Sequence, residues 1–276
     1  MSYNTVMQEC TPEIIIQSAK KAGLCVHQIS PSNPAFLVSN PESRKSFVAA
    51  PWSIYPTVQN WHASIMRYKE LSSHYLTHGG FNSIPGHFID TAQMTQESLH
   101  TKLMEYISII GFPCVIKPNM GSMSRNVYII KDQKQLQSNI SNIHSNIDHL
   151  LIQKYIKQDE YRVFIHNGQI LYLYKKQFVL NDGMTDRLTE SPCAKKYMMT
   201  SSFPTYLQDF AKKLYTHTNA EIMGVDIFLE SNIETEQEIT VIELNHNPGL
   251  GVMYETYNEK EFITEFLSGV YKKYLS

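Results

Sequence analysis

The stretch VIELNHNPGL, residues 241–250, places polar groups inside an otherwise apolar strand. Side chains alternate along a strand, so Glu243 and Asn245 are expected on one face, with Ile242 and Leu244 on the other. The Asn-Pro-Gly sequence that follows is typical of a turn. The pattern therefore predicts a strand that directs a carboxylate and an amide to the same side.

A second strand, MGVDIFLE at 223–230, precedes this one and is separated from it by the polar loop SNIETEQ. If the two strands form a hairpin, facing residues have numbers that add up to about 469, which pairs Asp226 with Glu243. Neighbouring carboxylates repel each other unless a cation or a shared proton lies between them. Carboxylate and amide oxygens suit Mg²⁺, with Mn²⁺ as a second option, so Asp226, Glu243 and Asn245 are candidate metal ligands. The alternative is the solvated face of an ordinary antiparallel sheet.

A lysine at the end of another apolar strand gives a candidate anion site. The sequence PCVIKPNMGSMSRNV, residues 113–127, runs through Lys117 into a loop that contains Gly121 and Ser122. Such a loop can turn backbone N–H groups toward phosphate oxygens, and the lysine adds a positive charge. Lys69, in the segment RYKELSSHYL, is a second candidate. Taken alone, each lysine is more often a solvated surface residue.

The stretch LLIQKYIKQDEYRVFI combines an apolar strand with a polar rim. A planar base fits an apolar slot with a few hydrogen-bonding groups at its edge, and a ribose fits a carboxylate acceptor. Glu160 suits the ribose, although a surface turn would also explain this acid. The candidate base contacts are Gln153, Lys154, Tyr155 and Ile156.

Hydrophobic periods and turn signals predict most of the other elements. Thr11 and Pro12 indicate the start of a first helix. The stretch from 178 to 204 has no period and is predicted to be a long surface loop. The further predictions are strands at 24–29, 35–40, 113–118 and 127–130, one helix over 61–78, helices over 99–110 and 136–147, a hairpin that turns at His166-Asn167-Gly168, and a final helix from about residue 258.

Composition places the chain among ordinary globular proteins with room for two or three lobes, since 42% of its 276 residues are hydrophobic. The net charge of -2 is mixed along the sequence, which argues against nucleic acid or a membrane surface as a partner. The four cysteines are far apart and form no C-x-x-C, which argues against zinc or disulfides. No apolar run reaches the about 18 residues of a membrane span. We expect a cytoplasmic protein.

Taken in order, these segments resemble the ATP-grasp superfamily, and in particular its carboxylate–amine ligases. The resemblance covers roughly residues 65–252. It implies an α/β (α+β) ATP-grasp fold, in which two α+β subdomains clasp ATP behind a short α/β N-terminal domain. The implied domains are 1–67, 68–154 and 155–276.

The resemblance also implies a role for each candidate residue. The cofactors would be ATP and Mg²⁺, and a cation would stabilise the acyl intermediate, for which Arg162, Lys175 and Arg187 are the candidates. The implied contacts are Lys69, Lys117, Gly121 and Ser122 with the phosphates, Gln153, Lys154, Tyr155 and Ile156 with the adenine, Glu160 with the ribose, and Asp226, Glu243 and Asn245 with the metal ions.

Three departures from the family pattern bear on the expected reaction. Gln153 and Lys154 stand where the hinge often begins with an acid, SMSRN stands where a second glycine is common, and Lys175-Lys176 stand where many relatives have arginine. The implied reaction joins a small acid and an amine, such as an amino acid or a short peptide, through an acyl phosphate. A small-molecule kinase and a silent ATP-binding protein are the alternatives, and a homodimer is left open.

Overall fold

The structure, a computed structural model, describes residues 3–30, 33–51, 53–121, 125–176, 178–181, 187–190, 197–198, 203–230, 232–256 and 258–276. Its helices are α1 (Tyr3–Lys21), α2 (Asn60–Arg67), α3 (Lys69–His78), α4 (Gln96–Ile110), α5 (Gln133–Asn146), α6 (Thr205–Thr218) and α7 (Lys260–Leu275), and a π-helical turn spans Val252–Thr256. Its strands are β1 (Cys25–Ser30), β2 (Asn33–Ser39), β3 (Ser46–Ala49), β4 (Gly86–Asp90), β5 (Cys114–Pro118), β6 (Tyr128–Ile130), β7 (His149–Lys154), β8 (Asp159–His166), β9 (Gln169–Lys175), β10 (Phe178–Asn181), β11 (Arg187–Glu190), β12 (Tyr197–Met198), β13 (Ile222–Leu229) and β14 (Thr240–Asn245).

A small antiparallel sheet, β1-β2-β3, forms the N-terminal part. Helix α1 packs against β1 and β2 and also against α7, so the first and last helices of the chain lie together. Ile14, Ile15 and Ala19 bury one side of α1 in the shared core, because residues three or four positions apart, such as Ile15 and Ala19, lie on the same helix face. Leu267 and Tyr271 enter this core from α7.

The second sheet has six strands in the order β10-β11-β6-β5-β7-β4. Helices α4 and α5 bury their apolar stripes in the core of this sheet. Local sequence defines both helix starts, since Thr95 accepts a hydrogen bond from the Ser98 backbone N–H and Asp132 accepts one from that of Gln135. Helix α4 ends at Gly111, whose φ of 78° suits a residue without a Cβ.

The third sheet has five strands in the order β12-β9-β8-β13-β14. The β8–β9 hairpin turns at Asn167 and Gly168, and both have positive φ, as the short turns that match the twist of a hairpin require. Its predicted position is therefore confirmed. Leu207, Ala211 and Leu214 of α6 bury this helix against one face of the sheet. On the opposite face, Phe164 and Tyr172 pack into the core shared with α1 and α7, so only the rest of that face is left for a site.

Three predictions of secondary structure are wrong in detail. The helix predicted over 61–78 is broken at Tyr68, whose backbone is extended at φ -102° and ψ 111°. The first helix starts at Tyr3 and contains Pro12, so Thr11 is not its N-cap. The predicted loop 178–204 contains β10, β11 and β12. Strands β10 and β11 pair with each other, β11 also pairs with β6, and β12 pairs with β9.

The mixed α/β class with antiparallel sheets agrees with the predicted fold. The division at residues 67 and 154 stays a prediction, and sheet membership crosses the second boundary. Strands β10 and β11 follow residue 154, yet they extend the six-stranded sheet, in which Arg187 pairs with Tyr128. Among the helices that the structure describes, none combines the length and apolar character needed to cross a membrane.

Candidate active site

A cleft lies between the six-stranded and five-stranded sheets. The first sheet contributes β5, β6 and β7 to its walls, and the second contributes β8, β13 and β14. The lining residues are Lys69, Ile84, Val115, Lys117, Pro118, Met120, Gly121, Arg125, Val127, Ile129, Gln153, Lys154, Tyr155, Ile156, Gln158, Glu160, Lys176, Phe228, Ile242 and Glu243.

The predicted pairing of Asp226 with Glu243 is confirmed, since the two residues are direct neighbours across β13 and β14. A β-bulge follows at once: Ile227 pairs with Val241, so Ile242 is an extra residue in its strand. The bulge places Ile242 in the cleft next to Glu243, whereas Val241 and Leu244 belong to the core. The prediction that Ile242 and Leu244 share a face is therefore wrong.

Asp226 does not line the cleft itself but is buried behind Lys176, which does, and it is held by two cations. Arg162 donates to both of its carboxylate oxygens, with Nη2 at 2.9 Å from Oδ2, and Lys176 Nζ lies 2.7 Å from Oδ2. The Asp226 side chain is only 1% exposed. Burial by itself would raise the pKa of this carboxyl, but the adjacent Arg162 and Lys176 outweigh it and hold the pKa well below its usual range.

Lys117 and Lys69 bring positive charge to the opposite wall. Lys117 is buried, and burial lowers its pKa to about 8, an effect that the nearby Glu243 carboxylate partly offsets. Lys69 Nζ donates to the Gly121 carbonyl at 2.9 Å and lies 3.6 Å from Glu243 Oε2. The two lysines therefore converge on Glu243, although they come from a helix and a strand that are far apart in sequence.

The break at Tyr68 is what brings Lys69 to the cleft. Asn119, just after β5, accepts from the backbone N–H of Lys69 through its carbonyl at 3.0 Å and from that of Glu70 through its Oδ1 at 2.9 Å. These two bonds satisfy N–H groups that the start of a helix otherwise leaves unpaired. The loop after β5 thus caps α3 and fixes Lys69 beside Gly121.

An apolar slot lies beside the polar groups. Val115 and Ile129 face it from one sheet, and Phe228 and Ile242 face it from the other. Tyr155 and Ile156 line it at the connection between β7 and β8. Gln153 is buried and donates through Nε2 to the Ile84 carbonyl at 2.7 Å, so its side chain braces the slot. Lys154 and Glu160 complete the rim.

The candidate cations for the acyl intermediate occupy different places. Arg162 lies beneath the cleft on Asp226, whereas Lys175 is paired with Asp159 at 2.6 Å and does not line the cleft. Successive residues of a strand point to opposite sides, so Lys176 faces the cleft in its place. The Arg187 side chain and the whole of Ser122 lie outside the described residues.

Several residues that line the cleft were not candidates from the sequence, among them Arg125, Lys176, Phe228 and Ile242. Phe228 carried a signal, because it is two residues from Asp226 and a strand repeats every two residues. Lys176 was named only as part of a departure from the family pattern. No local pattern marks Ile242, since the bulge that turns it depends on pairing with β13.

The donor set suits a hard divalent cation. Two paired carboxylates, Asp226 and Glu243, are followed by Asn245, whose buried side-chain nitrogen has no hydrogen-bond partner among the residues that the structure describes. Within that same part of the chain, no three His, Cys, Asp or Glu side chains group together for a metal. The amide and a substrate would therefore have to complete the ligand set. Lys176 would have to leave Asp226 for that carboxylate to bind a metal.

A cleft between two antiparallel sheets, with lysines on one wall and carboxylates on the other, defines this protein as an ATP-grasp protein. The chain belongs to the RimK-like ATP-grasp family, whose domain matches residues 85–265. The resemblance inferred from the order of the sequence motifs is thereby confirmed.

Curated relatives carry the name D-alanine–D-alanine ligase. The protein from Petrotoga mobilis is 26% identical over 172 residues, which are 59% of this chain and 55% of the relative. The protein from Pediococcus pentosaceus is 22% identical over 168 residues, which are 59% of this chain and 46% of the relative. The chain thus spans about half the length of these two relatives.

Solved structures share the fold. D-cycloserine synthetase DcsG superposes with a TM-score of 0.67 at 11% identity, covering 99% of this chain and 96% of that one. The D-alanine–D-alanine ligase from Bacillus anthracis superposes with a TM-score of 0.52 at 20% identity, covering 78% and 71%. At these identities the likeness extends to the fold and not to the reaction.

Proposed function

We propose that this protein is an ATP-dependent carboxylate–amine ligase that forms an amide through an acyl phosphate. The observation that carries the proposal is the convergence of Lys69, Lys117 and Glu243 in one cleft of an ATP-grasp chain. A carboxylate resists attack by an amine because its oxygen is a poor leaving group. Transfer of a phosphoryl group from ATP to that oxygen removes the obstacle.

In this proposal, different residues of the cleft bind the adenine, the ribose and the phosphates of ATP. The adenine enters the apolar slot beside Tyr155 and Ile156, and the ribose hydroxyls donate to Glu160. Lys117 and Lys69 hold the phosphates at the end of β5, with Gly121 beside them. Catalysis of phosphoryl transfer depends mainly on such positioning and on charge stabilisation.

Asp226, Glu243 and Asn245 are the groups that would hold magnesium, or manganese in its place. When bound, such an ion neutralises phosphate charge during phosphoryl transfer. Glu243 also keeps Lys69 oriented, since their charged groups lie 3.6 Å apart. Arg162 is 13% exposed and doubly bonded to Asp226, which keeps that carboxylate in place.

Arg162 and Lys176 are the cations that we assign to the developing oxyanion when the amine attacks. Removal of one well-placed donor of this kind typically costs about 3 kcal/mol of transition-state stabilisation. Lys175 is excluded from this role in the proposal, because its ammonium is paired with Asp159 away from the cleft. The acid and amine themselves, an amino acid or a short peptide, are proposed from the family relationship.

The test is phosphate release from ATP measured against a panel of amino acids and dipeptides, followed by mass analysis of the product. A new amide together with ADP and phosphate is the expected result. Hydroxylamine separates the alternatives, because an acyl phosphate gives a hydroxamate, whereas a stable phosphoester from a kinase does not. ATP binding without turnover across the panel would contradict the ligase and indicate a silent binding protein.

Glu243→Gln and Lys117→Ala are expected to reduce phosphate release at least about a hundredfold while the fold is kept. Matched controls are Glu236→Gln and Lys134→Ala, which change exposed residues of the same types outside the cleft. Both controls should retain wild-type rates. Full activity of either cleft variant would count against the proposed site.

A further inference from the structure

Lys176 forms ion pairs with both Glu160, the proposed ribose acceptor, and Asp226, a proposed metal ligand. Its ammonium lies 2.6 Å from Glu160 Oε1 and 2.7 Å from Asp226 Oδ2, and its side chain is 7% exposed. Its backbone N–H donates to the Glu160 carbonyl at 2.8 Å, which anchors the start of the side chain. One buried cation thus bridges the proposed ribose acceptor and a proposed metal ligand.

Burial of an ammonium is unfavourable unless its charge is paired. Lys176 is paired twice, and Glu160 and Asp226 are the partners that make its position favourable. Loss of either partner weakens the attraction that keeps the ammonium in place. Asp226 does not depend on Lys176 to the same degree, since Arg162 donates to both of its oxygens.

We infer that Lys176, in addition to its proposed role at the oxyanion, couples the ribose site to the metal site. The inference rests on the proposed function, which assigns Glu160 to the ribose and Asp226 to a divalent ion. Ribose hydroxyls that donate to Glu160 remove one anchor of Lys176 and open Asp226 to the ion. A divalent ion near Asp226 repels the ammonium and opens Glu160 to the ribose.

Such coupling makes the two ligands bind cooperatively without any contact between them. Thermodynamic linkage requires that each ligand raises the affinity of the other by the same factor. The released ammonium then lies in the cleft next to the phosphates and the reacting carboxyl group. Lys176 thus shields the two acids before binding and supplies positive charge to the reaction afterwards.

The experiment uses adenosine and Mn²⁺ with the full chain. Adenosine carries the ribose but no phosphate, so it does not chelate the ion directly. Mn²⁺ binding is followed by the electron paramagnetic resonance signal of the free ion, and adenosine binding by calorimetry. In the wild type each ligand is expected to tighten the other at least about fivefold, the lower end of typical couplings between sites.

Lys176→Met keeps the length of the side chain and removes the charge. In this variant the coupling factor is expected to fall to about one, and Mn²⁺ alone to bind more tightly than to the wild type. Lys175→Met is the matched control, because it removes a neighbouring lysine that is paired with Asp159 at a similar distance, 2.6 Å. The control should retain the wild-type factor.

Three results would overturn the inference: no coupling in the wild type, coupling that persists in Lys176→Met, or loss of Mn²⁺ binding in that variant. If Lys176→Met fails to fold, Lys176→Gln replaces it, and the absence of coupling in the wild type overturns the inference whichever variant is used. Failure of the proposed function is recognised separately, as the absence of magnesium-dependent ATP turnover. A wild type that turns over but shows no coupling keeps the function and loses only this role of Lys176.

Discussion

Among the single residues of the site, Asp226 has a structural role in addition to its proposed role in metal binding. It is the shared counter-ion of Arg162 and Lys176, whose side chains are 13% and 7% exposed. Removal of one partner of a buried ion pair leaves a buried charge without compensation. The resulting loss in free energy of unfolding is larger than the net stabilisation that the intact pair provides. The fold around the cleft therefore depends on this carboxylate.

We predict that Asp226→Asn lowers the free energy of unfolding by roughly 3 kcal/mol, the order found for a broken buried ion pair. Urea unfolding at neutral pH is the measurement. Asp159→Asn is the matched control, since it breaks the pair with Lys175, whose side chain is 31% exposed, and about 1 kcal/mol or less is expected there. Equal losses in the two variants would refute the prediction.

Lys117 gives a prediction about pH. Burial lowers its pKa in the folded protein to about 8, whereas the ordinary value for lysine is 10.5. Between these values the unfolded chain binds more protons than the folded protein, so stability rises with pH across the window. Below it both states carry the charge, and the contribution is constant.

We therefore expect the wild type to gain stability relative to Lys117→Met as pH rises from about 8 to 10.5, with a slope of at most about 1.4 kcal/mol per pH unit. Urea unfolding at pH 7.5 and 9.5 tests this difference. Lys154→Met, at an exposed lysine of the same cleft, serves as the control and should follow the wild type. The prediction is wrong if the free energy of unfolding changes by the same amount in the wild type and in Lys117→Met between the two pH values.

At the scale of elements, the bulge in β14 determines what the strand presents to the cleft. Without it, alternation would leave Ile242 on the side of Leu244, in the core beneath the sheet. The extra residue turns Ile242 into the apolar slot and leaves Leu244, at 2% exposure, in the core. Neighbouring apolar residues of one strand thus have different tasks.

Because Ile242 faces the cleft and Leu244 the core, we predict that alanine at one position affects nucleotide binding and at the other affects stability. Ile242→Ala should weaken nucleotide binding about tenfold, as expected for loss of about 1.4 kcal/mol of apolar contact with the base, and have a small effect on stability. Leu244→Ala should instead lower the free energy of unfolding by about 2–5 kcal/mol, because it leaves a cavity in the core. Calorimetry and urea unfolding measure the two effects. If both variants lose nucleotide affinity and stability to the same extent, the proposed difference between Ile242 and Leu244 is wrong.

Helix α3 depends on a neighbouring element for its start. Tyr68 provides no side-chain cap, and Asn119 satisfies the first backbone N–H groups from the end of β5. The capping group therefore belongs to the loop that we propose for phosphate binding. Movement of that loop would act directly on Lys69.

At the scale of the whole molecule, the proposed nucleotide contacts both large sheets at once. A ligand that binds only the folded state stabilises it by about 2.7 kcal/mol at a hundred times its dissociation constant. We predict that a non-hydrolysable ATP analogue with Mg²⁺ raises the unfolding midpoint, and that Lys117→Ala reduces this rise. Inorganic triphosphate with Mg²⁺ is the control for charge alone. An unchanged midpoint in the wild type at millimolar analogue would contradict the nucleotide site.

The sequence by itself determined the order of the motifs, most helices and strands, and the pairing of Asp226 with Glu243. Those features depend on local periods and on a hairpin whose loop length sets the register. Only the tertiary structure decided the bulge at Ile242, the break at Tyr68 and the strands within 178–198. The start of α3 and the place of β11 depend on partners distant in sequence, Asn119 and β6, which local preferences do not reveal. The bulge depends on the details of pairing between β13 and β14, which the hairpin length alone does not set. The choice of Lys176 over Lys175 has the same origin, because a shift of one residue reverses the side of the sheet that a side chain faces.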